Sequence, residues 1–181
     1  MPNTLKSVAK QVVIDEKIRD LVFALNALGV TTTGSCEGHI DHRNALAPWI
    51  KITPTKSSRE AVQIRKKIQE LLNTFYKNRR VSSDIRIKTT NANVGFWLHN
   101  GGKYFSAWRR EVNERTYRIS LSKKIQRKNN LSARERARRK ERLAIYQKEI
   151  ILFSAFLKKL AEQVKFEYLL SRVATSDEFD K

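Results

Sequence analysis

Val30-Thr31-Thr32-Thr33-Gly34-Ser35-Cys36-Glu37-Gly38-His39-Ile40-Asp41-His42 is the stretch on which the reading of this chain turns. Its first four residues are β-branched and predict a strand over 30–33. Gly34 and Gly38 then permit sharp turns and close approach of a ligand, so 34–42 is expected to be a polar loop at a strand end. Reactive groups concentrate there. The loop holds the single cysteine, Cys36, and two of the three histidines, His39 and His42, with the carboxylates Glu37 and Asp41 among them.

Upstream, Ile14, Ile18, Leu21, Val22, Leu25 and Leu28 recur at helical spacing and predict an amphipathic helix. Asp15 and Glu16 suit its positive end, and Gly29 is a natural stop. Downstream, Trp49-Ile50-Lys51-Ile52-Thr53 reads as a strand ended by Pro54. Ser57-Ser58-Arg59-Glu60 matches a capping box, followed by a helical stripe of Ala61, Ile64, Ile68, Leu71, Leu72 and Phe75. Arg65, Lys66 and Lys67 fall mostly on its exposed side. Ile85 and Ile87 alternate with Arg86 and Lys88, predicting a strand that pairs with 94–98 across Asn91-Ala92-Asn93. Tyr117, Ile119 and Leu121 suggest one more strand. This order predicts an α+β core over 1–122, a small mixed or antiparallel sheet covered by two helices.

After Ser122 the composition shifts. Over 123–181 a basic stretch comes first, with Ser132-Ala133-Arg134-Glu135 as a second capping box. Leu143, Tyr146, Ile150, Phe153, Leu157, Leu160 and Val164 then alternate steps of three and four. The expectation is a long helix with a solvated cationic front and an apolar rear docked on the core. Phe166 to Leu170 would add a last packed segment, and Ala174 to Lys181 would fray.

The loop admits four chemistries. Cys36, His39 and His42 have the spacing C-x2-H-x2-H, and His99 could add a fourth zinc ligand across the sheet. Without metal, Cys36 could act as a thiolate beside His39 or His42, with Glu37 or Asp41 orienting the imidazole. The backbone of 34–38 could wrap a phosphate. Or Cys36 is a small buried hydrophobe and the histidines hold a turn together.

Charge points to the partner. A formal net charge of +19 and a pI near 10.4 imply a polyanion, and nucleic acid is the commonest one. Candidate phosphate contacts are Lys123, Lys124, Arg127, Lys128, Arg134, Arg138, Arg139 and Arg142, with Arg109 and Arg110 beside the aromatics Tyr104, Phe105 and Trp108. RNA ranks ahead of DNA, those aromatics could stack on unpaired bases or pack in the core, and no helix-turn-helix, RNP or zinc-finger pattern argues for base-specific reading. With a single cysteine and no apolar run of membrane length, the expectation is a soluble cytoplasmic protein without membrane contact.

Ser35-Cys36-Glu37-Gly38-His39, after a threonine-rich strand and an amphipathic helix, resembles the Ser-Cys-Ser-Gly-Arg loop of the wybutosine-synthesis tRNA methyltransferase family. The likeness spans about residues 15–100, with Glu37 standing for a serine and His39 for the arginine. The loop is also similar to the Ser-Cys-x-Gly-His loop of a group of uncharacterised prokaryotic and phage proteins. The first resemblance implies S-adenosylmethionine as cofactor and tRNA as substrate. Two functions therefore stand as expectations. One is RNA modification with Cys36, Glu37, His39 and His42 as the catalytic group. The other is a non-catalytic nucleic-acid-binding accessory protein whose loop is structural or a small zinc site.

Overall fold

A computed structural model describes residues 14–40, 46–53, 58–92, 95–102, 105 and 131–176, the last stretch as backbone only beyond residue 163. In order come α1 (Glu16–Ala27), β1 (Thr32–Cys36), β2 (Trp49–Ile52), α2 (Ser58–Tyr76), β3 (Lys88–Asn91), β4 (Phe96–His99) and α3 (Ala133–Ser176). The strands form one sheet in the order β1-β2-β4-β3, and every neighbouring pair is antiparallel. The fold is α+β, as the periodicities predict. The residues proposed for a strand at 117–121 and the capping serine Ser57 lie outside the described residues.

α1 ends as Gly29 requires. Gly29 adopts a positive φ, its N–H reaches the Asn26 carbonyl (3.0 Å), and the Val30 N–H reaches Leu25 (2.9 Å). Two carbonyls at the helix end are thereby satisfied before the chain enters β1. β1 starts later and runs further than the β-branched run suggests. Gly34, Ser35 and Cys36 pair with Lys51, Ile50 and Trp49, and the register slips between Thr32 and Gly34. Backbone pairing needs no side chain, so Gly34 continues the ladder and Cys36 closes the strand. The loop proper begins at Glu37.

A second correction concerns 85–88. The strand starts only at Lys88. A turn precedes it, held by Ile85 N–H on the Ser82 carbonyl (3.0 Å) and by the Ser82 hydroxyl on Asp84 Oδ1 (2.7 Å). The Asp84 carbonyl also accepts the Gly101 N–H at 2.9 Å. These local bonds outweigh the alternating pattern at Ile85, which joins a small cluster with Leu46, Ala47, Leu143 and Tyr146.

Inward faces build one main core. Ile18, Leu21 and Leu25 of α1, Ile68, Leu72 and Phe75 of α2, and Ile50, Ile52, Phe96 and Leu98 of the sheet pack together. Ile150, Phe153 and Leu157 of α3 complete it. Phe75 lies 5.1 Å from Phe153 and 5.4 Å from Phe156 between ring centroids. Ile150, Phe153 and Leu157, fully buried, stabilise the fold by roughly 5–9 kcal/mol, comparable to the whole net stability of a domain. The middle of α3 is therefore part of the core. Its helix runs through Ser176, three residues into the stretch expected to fray, and 177–181 lie outside the described residues. No helix among the described residues is long and apolar enough to cross a membrane.

Candidate functional site

β1 carries Cys36 to the end of the sheet where α1 begins, and the loop 37–40 is stapled there. The N-cap of α1, Asp15, makes no side-chain bond to its own helix. Its Oδ2 instead accepts the Glu37 N–H at 3.1 Å, while Glu37 Oε2 accepts the Lys17 N–H, also at 3.1 Å. This is a capping box shared between two elements. Each carboxylate satisfies a backbone N–H of the other, and the negative charge sits at the positive end of α1. Glu37 thus has a structural assignment where an orienting role beside an imidazole is expected.

α3 clamps the loop from the other side. Gln147 donates from Nε2 to the Glu37 carbonyl (3.1 Å) and accepts Lys17 Nζ on Oε1 (3.0 Å). Arg139 reaches the Ile40 carbonyl at 3.4 Å. Gly38 makes the tight passage possible at φ +85°, for a Cβ there would lie 2.5 Å from the Leu46 carbonyl oxygen and 2.7 Å from Leu143. The same turn aims its N–H at Cys36 Sγ, 3.4 Å away, and folds His39 back beside Cys36. Asp15, Cys36 and His39 each offer one ligand atom, all within 4.8 Å of one another. Cys36 is 9% exposed, and Asp15 and His39 are half-buried.

Of the proposed zinc ligands, the structure unites Cys36 and His39. His42, with Asp41, lies outside the described residues. His99 is not part of the group. It ends β4, and in the register Cys36 pairs with Trp49 and Trp49 with His99, so two strand spacings of about 5 Å separate them. Its ring meets Thr90 Oγ1 at Nε2 (2.7 Å) and the Asn100 carbonyl at Nδ1 (3.1 Å), and stacks on Phe105 at 3.7 Å. Asp15 takes the position that spacing alone assigns to His99. It lies 21 positions before Cys36 in the chain, and only the α1–β1 connection brings them together.

The predicted phosphate contacts divide. Arg139 bonds Glu135 at 3.0 Å and Arg142 bonds Asp84 at 2.5 Å. The Ser82 hydroxyl, and then Arg142, hold the Asp84 carboxyl below its usual range. Arg134 and Arg138 are exposed and make no ion pair among the described residues, as are Arg136 and Lys140. Lys123, Lys124, Arg127, Lys128, Arg109 and Arg110 lie outside the described residues. Unforeseen in the sequence is the outer sheet face. Trp49 and Trp97 meet edge to face at 4.8 Å, and Lys51 Nζ stands 5.8 Å from the Trp97 ring. Strand alternation predicts which side they face, but nothing in the sequence pairs them.

No family model matches the chain, and comparison with curated proteins and with solved structures finds no match either.

Proposed function

We propose that this protein binds RNA through the cationic front of α3, with the loop 36–40 at the foot of that surface. The observation that carries the reading is the set Arg134, Arg136, Arg138 and Lys140, exposed on turns that place no residue in the core among the described residues. The four stand at steps of two and so ring the helix, and turns that only need water do not require such an excess of one sign on a chain already at +19. Arg139 and Arg142 fix the base of the rod to the loop and to the turn at Asp84, so the exposed cations are held at a defined place. Lys51, near the half-buried Trp97 whose ring already meets Trp49 and Phe105, adds a further cation on the outer sheet face. The aromatics Tyr104 and Trp108 next to Arg109 and Arg110 in the sequence suit unpaired bases and favour single-stranded over duplex nucleic acid.

The competing reading, in which the loop is a structural turn of an accessory protein, draws on the capping role of Glu37. It changes the task of the loop and leaves the binding surface as it is. Fluorescence anisotropy with a single-stranded RNA, a duplex RNA and a duplex DNA of equal length, across a salt series, tests the proposal. The single strand should bind tightest, with affinity falling steeply as salt rises. Replacing Arg134, Arg136, Arg138 and Lys140 by Gln should flatten the log–log salt slope by about 3, at ~0.7 for each phosphate no longer neutralised. Binding that is absent at low salt, or unchanged in that variant, overturns it.

A further inference from the structure

We infer that Asp15, Cys36 and His39 hold one divalent transition-metal ion, with zinc the best fit. The inference is independent of RNA binding. Its first support is convergence. A helix N-cap, a strand end and a loop deliver one carboxylate oxygen, one sulfur and one imidazole nitrogen to within 4.8 Å of one another. A tetrahedral zinc site, with bonds of about 2.0–2.3 Å, has ligand atoms roughly 3.5 Å apart, so small side-chain rotations close the set.

The second support is the way the ligands are held. Two successive loop N–H groups address the two anionic members: that of Glu37 bonds Asp15 Oδ2 (3.1 Å), and that of Gly38 bonds Cys36 Sγ (3.4 Å). Backbone donors of this kind orient ligands and fix the direction in which their remaining lone pairs point. The third support is redundancy. The loop is already fixed by Glu37 on Lys17, Gln147 on the Glu37 carbonyl and Arg139 on the Ile40 carbonyl. None of those bonds uses the side chain of Cys36 or His39. Cys36 Sγ adds the Gly38 N–H to that set, and none of these bonds accounts for a histidine brought within 4.8 Å of the sulfur.

The donor chemistry selects the ion. A thiolate and an imidazole disfavour magnesium and calcium, whereas sulfur, nitrogen and oxygen together suit zinc or cobalt. Asp15 and Cys36 as anions balance the two positive charges, which a strongly basic chain could not otherwise tolerate at this point. Three protein ligands leave the fourth position to water or to an oxygen of a bound phosphate, at the foot of the arginine-bearing face of α3.

The test uses the full chain without an affinity tag, stripped by a chelator and titrated with Zn2+ and, separately, with Co2+. One equivalent of zinc by elemental analysis is expected, together with a thiolate-to-cobalt charge-transfer band. Cys36→Ser should abolish the band, and Asp15→Asn and His39→Asn should each weaken binding at least tenfold. His99→Ala should leave metal affinity unchanged. Circular dichroism of each metal-free variant identifies any that fail to fold, and the unaltered chain decides the matter even then. Substoichiometric zinc without a charge-transfer band overturns the proposal, as does a band that survives Cys36→Ser.

Discussion

Tyr76 shows how a single buried group ties stability to pH. It is 6% exposed, and its hydroxyl accepts the Ile87 N–H at 2.8 Å, just before β3. Burial pushes the phenol pKa up, and the nearby charge of Glu149 adds to the effect. A group whose folded pKa is raised contributes stability in full below its unfolded value, about 10 for tyrosine, and loses it as pH rises beyond that. Urea melts between pH 8 and 11 should therefore show stability falling on the alkaline side. Tyr76→Phe should flatten that fall while lowering stability at neutral pH by about 1–3 kcal/mol, because the Ile87 N–H is left without its acceptor. An unchanged alkaline slope in the variant would remove Tyr76 from the explanation. At this scale the sequence was legible where chemistry is local, as at Gly29, and silent where partners are distant. Asp15 reads as an ordinary first-turn acid until β1 brings Cys36 to it.

Among elements, α3 was the most legible and the turn at 82–86 the least. The three-and-four spacing named Tyr146, Ile150, Phe153 and Leu157, all of which are buried. The capping box also forms in its main part, with Ser132 Oγ accepting the Glu135 N–H at 3.1 Å. Alternation misled at Ile85, because a polar Ser-Asp turn satisfies its own backbone more cheaply than a fourth-strand extension does. The front of α3 makes few apolar contacts, so its first turns rest on their cap. Ser132→Ala should cost about 1 kcal/mol, felt locally. Amide hydrogen exchange at 133–138 should speed about fivefold while exchange at 150–157 stays as it was. Equal acceleration at both places would mean that the front turns unfold only with the core.

At the level of the whole molecule, the legible part was the division of labour: an apolar sheet-and-helix body and a concentration of positive charge at one end of a helix. What charge counting could not convey is that Arg139 and Arg142 are tied into the body while Arg134, Arg136, Arg138 and Lys140 are not. The cations proposed for RNA binding are therefore not the ones that tie the helix to the body. Replacing the four exposed cations by Gln should move the melting temperature by less than about 4 °C, the shift that about 1 kcal/mol produces in a chain of this size. A larger drop in a scanning calorimeter would show that those side chains carry part of the fold.

The length of α3 has a further consequence. Ten residues separate Ala133 from Leu143, where packing begins, and at 1.5 Å each they span about 15 Å. The electrostatic screening length at physiological ionic strength is about 8 Å. Arg134 therefore stands nearly two such lengths along the helix from Leu143, whereas Lys140, about 5 Å from it, lies within one. Positive charge along this stretch is thus graded, screened from the packed interior at its far end and felt by it at the near end.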